Sequence, residues 1–205
     1  MVDFIATLTA ATLRVATPIL LAAIGETYSE RSGILNLGIE GTMFFGAFIG
    51  FYTADATGSL WTGLIAAILF GVLSGLLMAL LSVTLGVNQH VSGLGITLLL
   101  SGLALYGFRL NYGGRSTPPS IPPFEQITLL ENVPFLGTIL NQYLLTYLAF
   151  LVIVPLAWYV LYQTSFGLNI RAVGENPEAA DAAGINVFRT RYLACLLYTS
   201  DAADE

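Results

Sequence analysis

The chain has 205 residues, 56% hydrophobic and only 10% charged, with a mean hydropathy of +0.77; soluble globular chains carry about 25% charged residues, so a soluble domain is excluded and a membrane protein expected. The formal net charge is −6 and the seven basic residues are all arginine, so these residues hold no GxxxxGK[ST] phosphate loop and any ATP must be bound by another chain. One cysteine, Cys195, and one histidine, His90, exclude an internal disulfide and leave no cluster of soft ligands, which argues against metal, redox or other cofactor chemistry.

The first apolar run begins at Phe4 with only Asp3 as a charge before it, so it lacks the basic start of a secretory signal and is expected to be a retained span. Stretches of about 20 apolar residues cross a bilayer as helix. Five are predicted: Phe4 to Ile24, interrupted by Arg14 and Pro18; Ile34 to Tyr52, containing Glu40; Leu60 to Leu85, free of charge; Val91 to Phe108; and Tyr143 to Tyr162, containing Pro155. The fold class expected is an all-α, polytopic transmembrane helix bundle. Gly46 and Gly50 in the second span, and Gly71 and Gly75 in the third, stand at the spacing that lets helix backbones approach in lipid. Between the fourth and fifth spans, Arg109 to Gln142 holds Gly113, Gly114 and five of the eight prolines, the composition of a long connection with little regular structure.

Arginine placement orients the bundle, because cytoplasmic loops are enriched in positive charge. Arg171, Arg189 and Arg191 follow the fifth span and are placed inside. Five crossings then put Arg109 and Arg115 outside, Asn88 to His90 inside, Asp55 outside, and Arg31 inside with the N-terminus outside.

Two segments break the apolar pattern. Ser32, Gly33, Asn36, Gly38, Glu40 and Gly41 interrupt the start of the second span, as polar breaks do where a transport path is lined. Glu40, an ionisable group in a span, is expected inside the bundle, either on the pathway or bonded to a neighbouring backbone. Asn88, Gln89 and Ser92 open the fourth span, and His90 is assigned to the solvated interface. The second segment is "GENPEAADAAGINVFRTR", residues 174 to 191. Asn176 and Pro177 form a helix start, Glu178 and Asp181 sit near the positive end of the dipole, and Gly184 is a stop. The helix predicted over Pro177 to Ala183 is about 10 Å long and too short to hold by itself in water. On the residues alone, it either lies on its own bundle or enters a groove of a partner.

"EAADAAG", Glu178 to Gly184, resembles the EAA-x-x-x-G cytoplasmic loop of ABC importer permeases. Together with "ERSGILNLGIEG" (30 to 41) and "RAVGENPEAADAAGINV" (171 to 187), it resembles permeases of the branched-chain amino acid and simple sugar class, within them the nucleoside importers that work with a surface lipoprotein. The resemblance runs from about Thr12 to about Ala194. It implies a permease domain over 1–194 with a coupling loop at 164–190, in which Glu178, Ala179, Ala180 and Gly184 meet a partner ATPase. It also implies a second permease subunit, a substrate-binding lipoprotein, and a multi-pass place in the plasma membrane of a prokaryote, with no nucleic-acid partner. Asn36, Glu40, Asn88 and Gln89 are then expected along the substrate pathway, and no catalytic residue is expected. An ion-coupled transporter would carry more intramembrane carboxylates than Glu40 alone, and a membrane enzyme would need a pair of titratable groups at one depth. The end "YLACLLYTSDAADE" departs from the family. Its apolar start is an aborted sixth span, and residues 195–205 read as a foreign tail from a truncated gene; without its three acids the net charge is −3.

Overall fold

A computed structural model of the chain describes residues 2–114, 119–121, 123–124, 126–128 and 139–197. Its long helices are α1 (Val2–Arg31), α2 (Ile39–Thr57), α3 (Leu60–Thr84), α4 (Gln89–Tyr112) and α5 (Leu144–Gln163). Three short ones follow: α6 (Ser165–Glu175), α7 (Pro177–Ala182) and α8 (Val187–Leu197). The architecture is the expected all-α polytopic bundle. Helix α5 widens to a π stretch over Ala149–Ile153 just before Pro155, where the missing N–H and the bulk of the ring disturb the preceding turn. Among the described residues, the connection from α4 to α5 contains a short antiparallel ladder, β1 (Gln126–Thr128) with β2 (Asn141–Tyr143), in register Gln126 to Tyr143. Arg115 lies outside the described residues, as do residues 198–205 of the predicted tail.

Among the described residues four helices, α1, α3, α4 and α5, are long and apolar enough to cross a membrane. The second predicted span is also a helix, but it starts at Ile39 rather than Ile34, and Glu40 and Asp55 near its ends keep it below that apolarity. Its 19 residues reach about 28 Å at 1.5 Å per residue. Helix α2 packs instead through polar and small groups: Thr42 Oγ1 and Ser74 Oγ are 2.7 Å apart, and Tyr112 Oη donates to Asp55 Oδ2 at 3.0 Å. Gly58, at φ +70°, turns α2 into α3 within two residues, which makes the pair antiparallel. The partner of Gly50 is Gly63, whose Cβ would lie 2.5 Å from the Gly50 carbonyl oxygen; Gly71 and Gly75 are buried elsewhere along α3.

Helix α1 runs seven residues beyond its predicted end at Ile24, through Pro18, and stops only at Gly33. There φ is +84°, and the N–H groups of Gly33 and Ile34 bond back to Glu30 O and Ser29 O at 2.9 and 3.1 Å. The charge inside this span is consumed by β2: Arg14 Nε donates to Gln142 Oε1 at 3.1 Å and Nη2 to Asn141 O at 3.0 Å, with the Tyr143 ring 5.2 Å from the guanidinium. Two buried apolar clusters lie on either side of α8. One joins Ile34, Met78, Ile96 and Leu100 to Cys195; the other joins Tyr28, Leu161 and Ile170 to Ala194. The short helix is thereby wedged between the break after α1 and the α5–α6 arm.

Candidate transport path and coupling loop

Residues 32–38 lie between α1 and α2, and beyond Ile34, the last N–H that bonds back to α1, their backbone N–H groups need other partners. Gln89 on α4 accepts the Leu35 N–H at 2.8 Å and donates to Gly33 O at 3.4 Å. Glu26 on α1 accepts the Asn36 N–H at 2.9 Å, and Asn36 Oδ1 accepts the Gly38 N–H at 2.8 Å. Thr97 Oγ1 donates to Leu37 O at 2.9 Å, and Arg191 Nε to Ser32 O at 3.3 Å. Glycine permits the approach on α4, since a Cβ at Gly93 would stand 2.8 Å from Leu37 N and one at Gly41 2.5 Å from Thr97 Cα. The break is thus a preformed segment fixed by side chains of α1, α4 and α8.

The residues expected on the pathway separate into three kinds. Asn36, 5% exposed, and Gln89 meet at the break. Asn88 caps α4, its side chain accepting the His90 N–H at 3.0 Å, and is exposed, as is His90. Glu40 lies in the first turn of α2 and is exposed, because the helix begins at Ile39. At that helix end a carboxylate is favoured by the dipole and needs no buried partner. The carboxylate that does enter the break is Glu26, which counting apolar residues passed over because the apolar run ends two residues earlier. Its Oε2, like Ser92 Oγ on α4, is buried and has no hydrogen-bond partner among the described residues. An apolar cavity of about 540 Å³ between α3, α4 and α8, lined by Phe70, Leu77, Leu100 and Tyr192 among others, offers few groups that could bind a polar solute.

Gln89 gives a direct test of this accounting. Gln89→Leu should lower the thermal midpoint of the detergent-solubilised protein, by the equivalent of about 1–3 kcal/mol for an abandoned backbone donor. Gln89→Glu, which keeps an acceptor, should lose less. Equal midpoints for wild type and Gln89→Leu would show that the Leu35 N–H does not depend on this side chain.

The second segment is mostly helical. Thr164 caps α6, accepting the Gly167 N–H at 3.2 Å, and Ile170 and Val173 bury its inner face. Asn176 caps α7, accepting the Ala179 N–H at 3.0 Å, and Pro177 takes the first helical position. The helix ends one residue before the predicted Ala183, in a Schellman arrangement. Gly184, at φ +85°, donates to Asp181 O at 2.9 Å, and Ile185 N donates to Ala180 O at 3.0 Å. Glu178, Ala179 and Gly184 are exposed; Ala180, at 4% exposed, faces the bundle. The result is a short ridge of alanines and two exposed carboxylates, Glu178 and Asp181, with Ala180 as its buried residue.

The family described as "Branched-chain amino acid transport system / permease component" matches residues 8–203. The chain is 39% identical over 201 residues to a putative glucose ABC transporter permease protein of Haloferax volcanii, covering 95% of this chain and 60% of the relative. It is 35% identical over 206 residues to a guanosine ABC transporter permease protein of Bacillus subtilis, covering 96% and 64%. It is 36% identical over 190 residues to a nucleoside ABC transporter permease protein of Lactococcus lactis, covering 89% and 60%. The chain spans about three fifths of the length of these curated relatives. No solved structure matches it. With the family matching nearly end to end, and its helices long and apolar enough to cross a membrane, the chain belongs to the branched-chain amino acid transport system permease component family.

Proposed function

We propose that this chain forms the membrane-spanning permease of an ATP-driven importer for nucleosides or related sugar-containing solutes in the plasma membrane of a prokaryote. The observation that carries the reading is the similarity, over most of the chain, to permeases named for guanosine, nucleosides and glucose. These solutes share a ring bearing hydroxyl groups. In this reading an ATPase subunit docks on α7 through Glu178, Ala179, Ala180 and Gly184, a second permease subunit completes the path, and a substrate-binding lipoprotein delivers the solute. The break at 32–38, with Asn36 and Gln89, lines the path together with Asn88 and Glu40, and Glu26 adds a further carboxylate. The exposure of α7 supports the docking role, because a two-turn helix is not stable alone and this one is anchored by a single buried alanine.

The test is uptake of radiolabelled guanosine and glucose into proteoliposomes holding the assembled transporter. Uptake is expected to require ATP and to persist when ionophores collapse the ion gradients. Uptake driven by an ion gradient without ATP would favour a secondary transporter, and uptake of leucine in place of guanosine and glucose would reassign the solute. For sidedness, a cysteine placed at the exposed Ala182 is expected to react with an impermeant thiol reagent only from the cytoplasmic side; Cys195, at 2% exposed, contributes little background. Labelling of intact cells from outside would reverse the orientation.

A further inference from the structure

The coupling loop touches the break from both of its arms. On the arm before α7, Gly174 lies against the end of α1: a Cβ there would stand 2.1 Å from Arg31 O and 3.3 Å from Gly33 N. On the arm after α7, Arg191 Nε donates to Ser32 O at 3.3 Å, and Arg191 Nη2 lies 3.4 Å from where a Gly33 Cβ would be. Helices α6 and α8 therefore converge on residues 31–33, with α7 as the apex between them. The carbonyls at that end of α1 carry the negative pole of the helix dipole, which a guanidinium complements.

We propose that Arg191 is a positioning residue that ties α7 to the break after α1, so that a displacement of α7 by its partner moves residues 32–38 with it. This rests on the permease reading above. On the far side the break is held by Gln89 and Thr97 of α4, so a motion delivered at Ser32 meets a fixed edge and is converted into a change of the break itself. Arginine suits the role because its planar fork serves a carbonyl through Nε while leaving Nη2 beside Gly33. Gly33 and Gly174 supply the clearance: Gly33 faces Arg191 and Gly174, and Gly174 faces Arg31 and Gly33, each with hydrogen in place of a side chain.

The experiment uses the assembled transporter, with its ATPase and binding protein, in proteoliposomes. Arg191→Met should leave the complex intact and ATP hydrolysis near wild type, while the ATP consumed per solute imported rises about tenfold, within the usual range of coupling between sites. Arg191→Lys, retaining the charge without the fork, should fall between the two. Spin labels at Ala182 on α7 and Leu37 in the break, both exposed, should keep one narrow distance through the nucleotide cycle in the wild type and spread in Arg191→Met. Should Arg191→Met fail to insert, Arg191→Gln is expected to show the same raised ratio. A wild-type ratio in the inserted variant overturns the proposal. So does a parallel loss of hydrolysis, uptake and thermal stability with unchanged label distances, which marks a purely structural arginine. A wild-type chain that never assembles with an ATPase overturns the permease reading instead.

Discussion

Gly174→Ala is expected to destabilise the protein, although alanine is ordinarily the better helix residue. A Cβ at this position would lie 2.1 Å from Arg31 O and 2.9 Å from Arg31 C, both backbone atoms, so no side-chain rotation relieves the clash. The end of α6 must move away from the end of α1. Overpacking of this kind costs about 1–3 kcal/mol, against a gain of up to about 1 kcal/mol from replacing glycine within a helix. The matched control is Gly102→Ala on α4, where nothing lies within 4 Å of the new Cβ and only the gain applies. Thermal midpoints in detergent should therefore shift in opposite directions, downward for Gly174→Ala and level or upward for Gly102→Ala. If Gly174→Ala is as stable as Gly102→Ala, the close approach of the two helices is not present in the membrane protein.

The two motifs differed in how far their residues reveal their structure, and the difference is one of range. Helix α7 was legible because each of its signals acts within a few residues: Asn176 caps its own first turn, Pro177 fixes the first helical φ, and Gly184 supplies the left-handed stop. Helix α6 was not predicted, since "SFGLNIRAVGE" contains two glycines and its helix is held by docking Ile170 and Val173. The end of α1 was misplaced for a related reason. An apolar run stops at the first charges, whereas the helix continues until its hydrogen bonds are capped at Gly33, and those extra turns are what bring Glu26 to Asn36. The same shift places Glu40 in the first turn of α2, because five residues of apparent span became an unwound segment. Arg14 and Gln142 stand 128 residues apart, and no local pattern signals their bond.

On the proposed permease function, Gly184→Val is expected to uncouple transport from the ATPase while leaving the bundle inserted. At φ +85° a residue bearing a Cβ is strained, yet nothing lies within 4 Å of where that Cβ would be, so the penalty is one of backbone conformation and not of space. It amounts to about 1–3 kcal/mol and is greatest for a β-branched residue, whereas asparagine tolerates this conformation. Elsewhere in the bundle such a cost would be absorbed. In α7 it falls on a six-residue helix whose end depends on two bonds, Gly184 N to Asp181 O and Ile185 N to Ala180 O, both of which need the left-handed turn. Without that turn the chain leaves α7 in another direction and carries Ile185 and Phe188 with it. The ridge offered to the partner is lost, while the clusters around Cys195 and Ala194, which hold α8 in the bundle, are untouched. Normal membrane abundance, failure of the ATPase to co-purify, and uptake reduced about tenfold or more are expected for Gly184→Val, with Gly184→Asn near wild type. An intact complex and wild-type uptake in Gly184→Val would mean that the turn does not direct the docking surface, and α7 would revert to a surface helix lying on its own bundle.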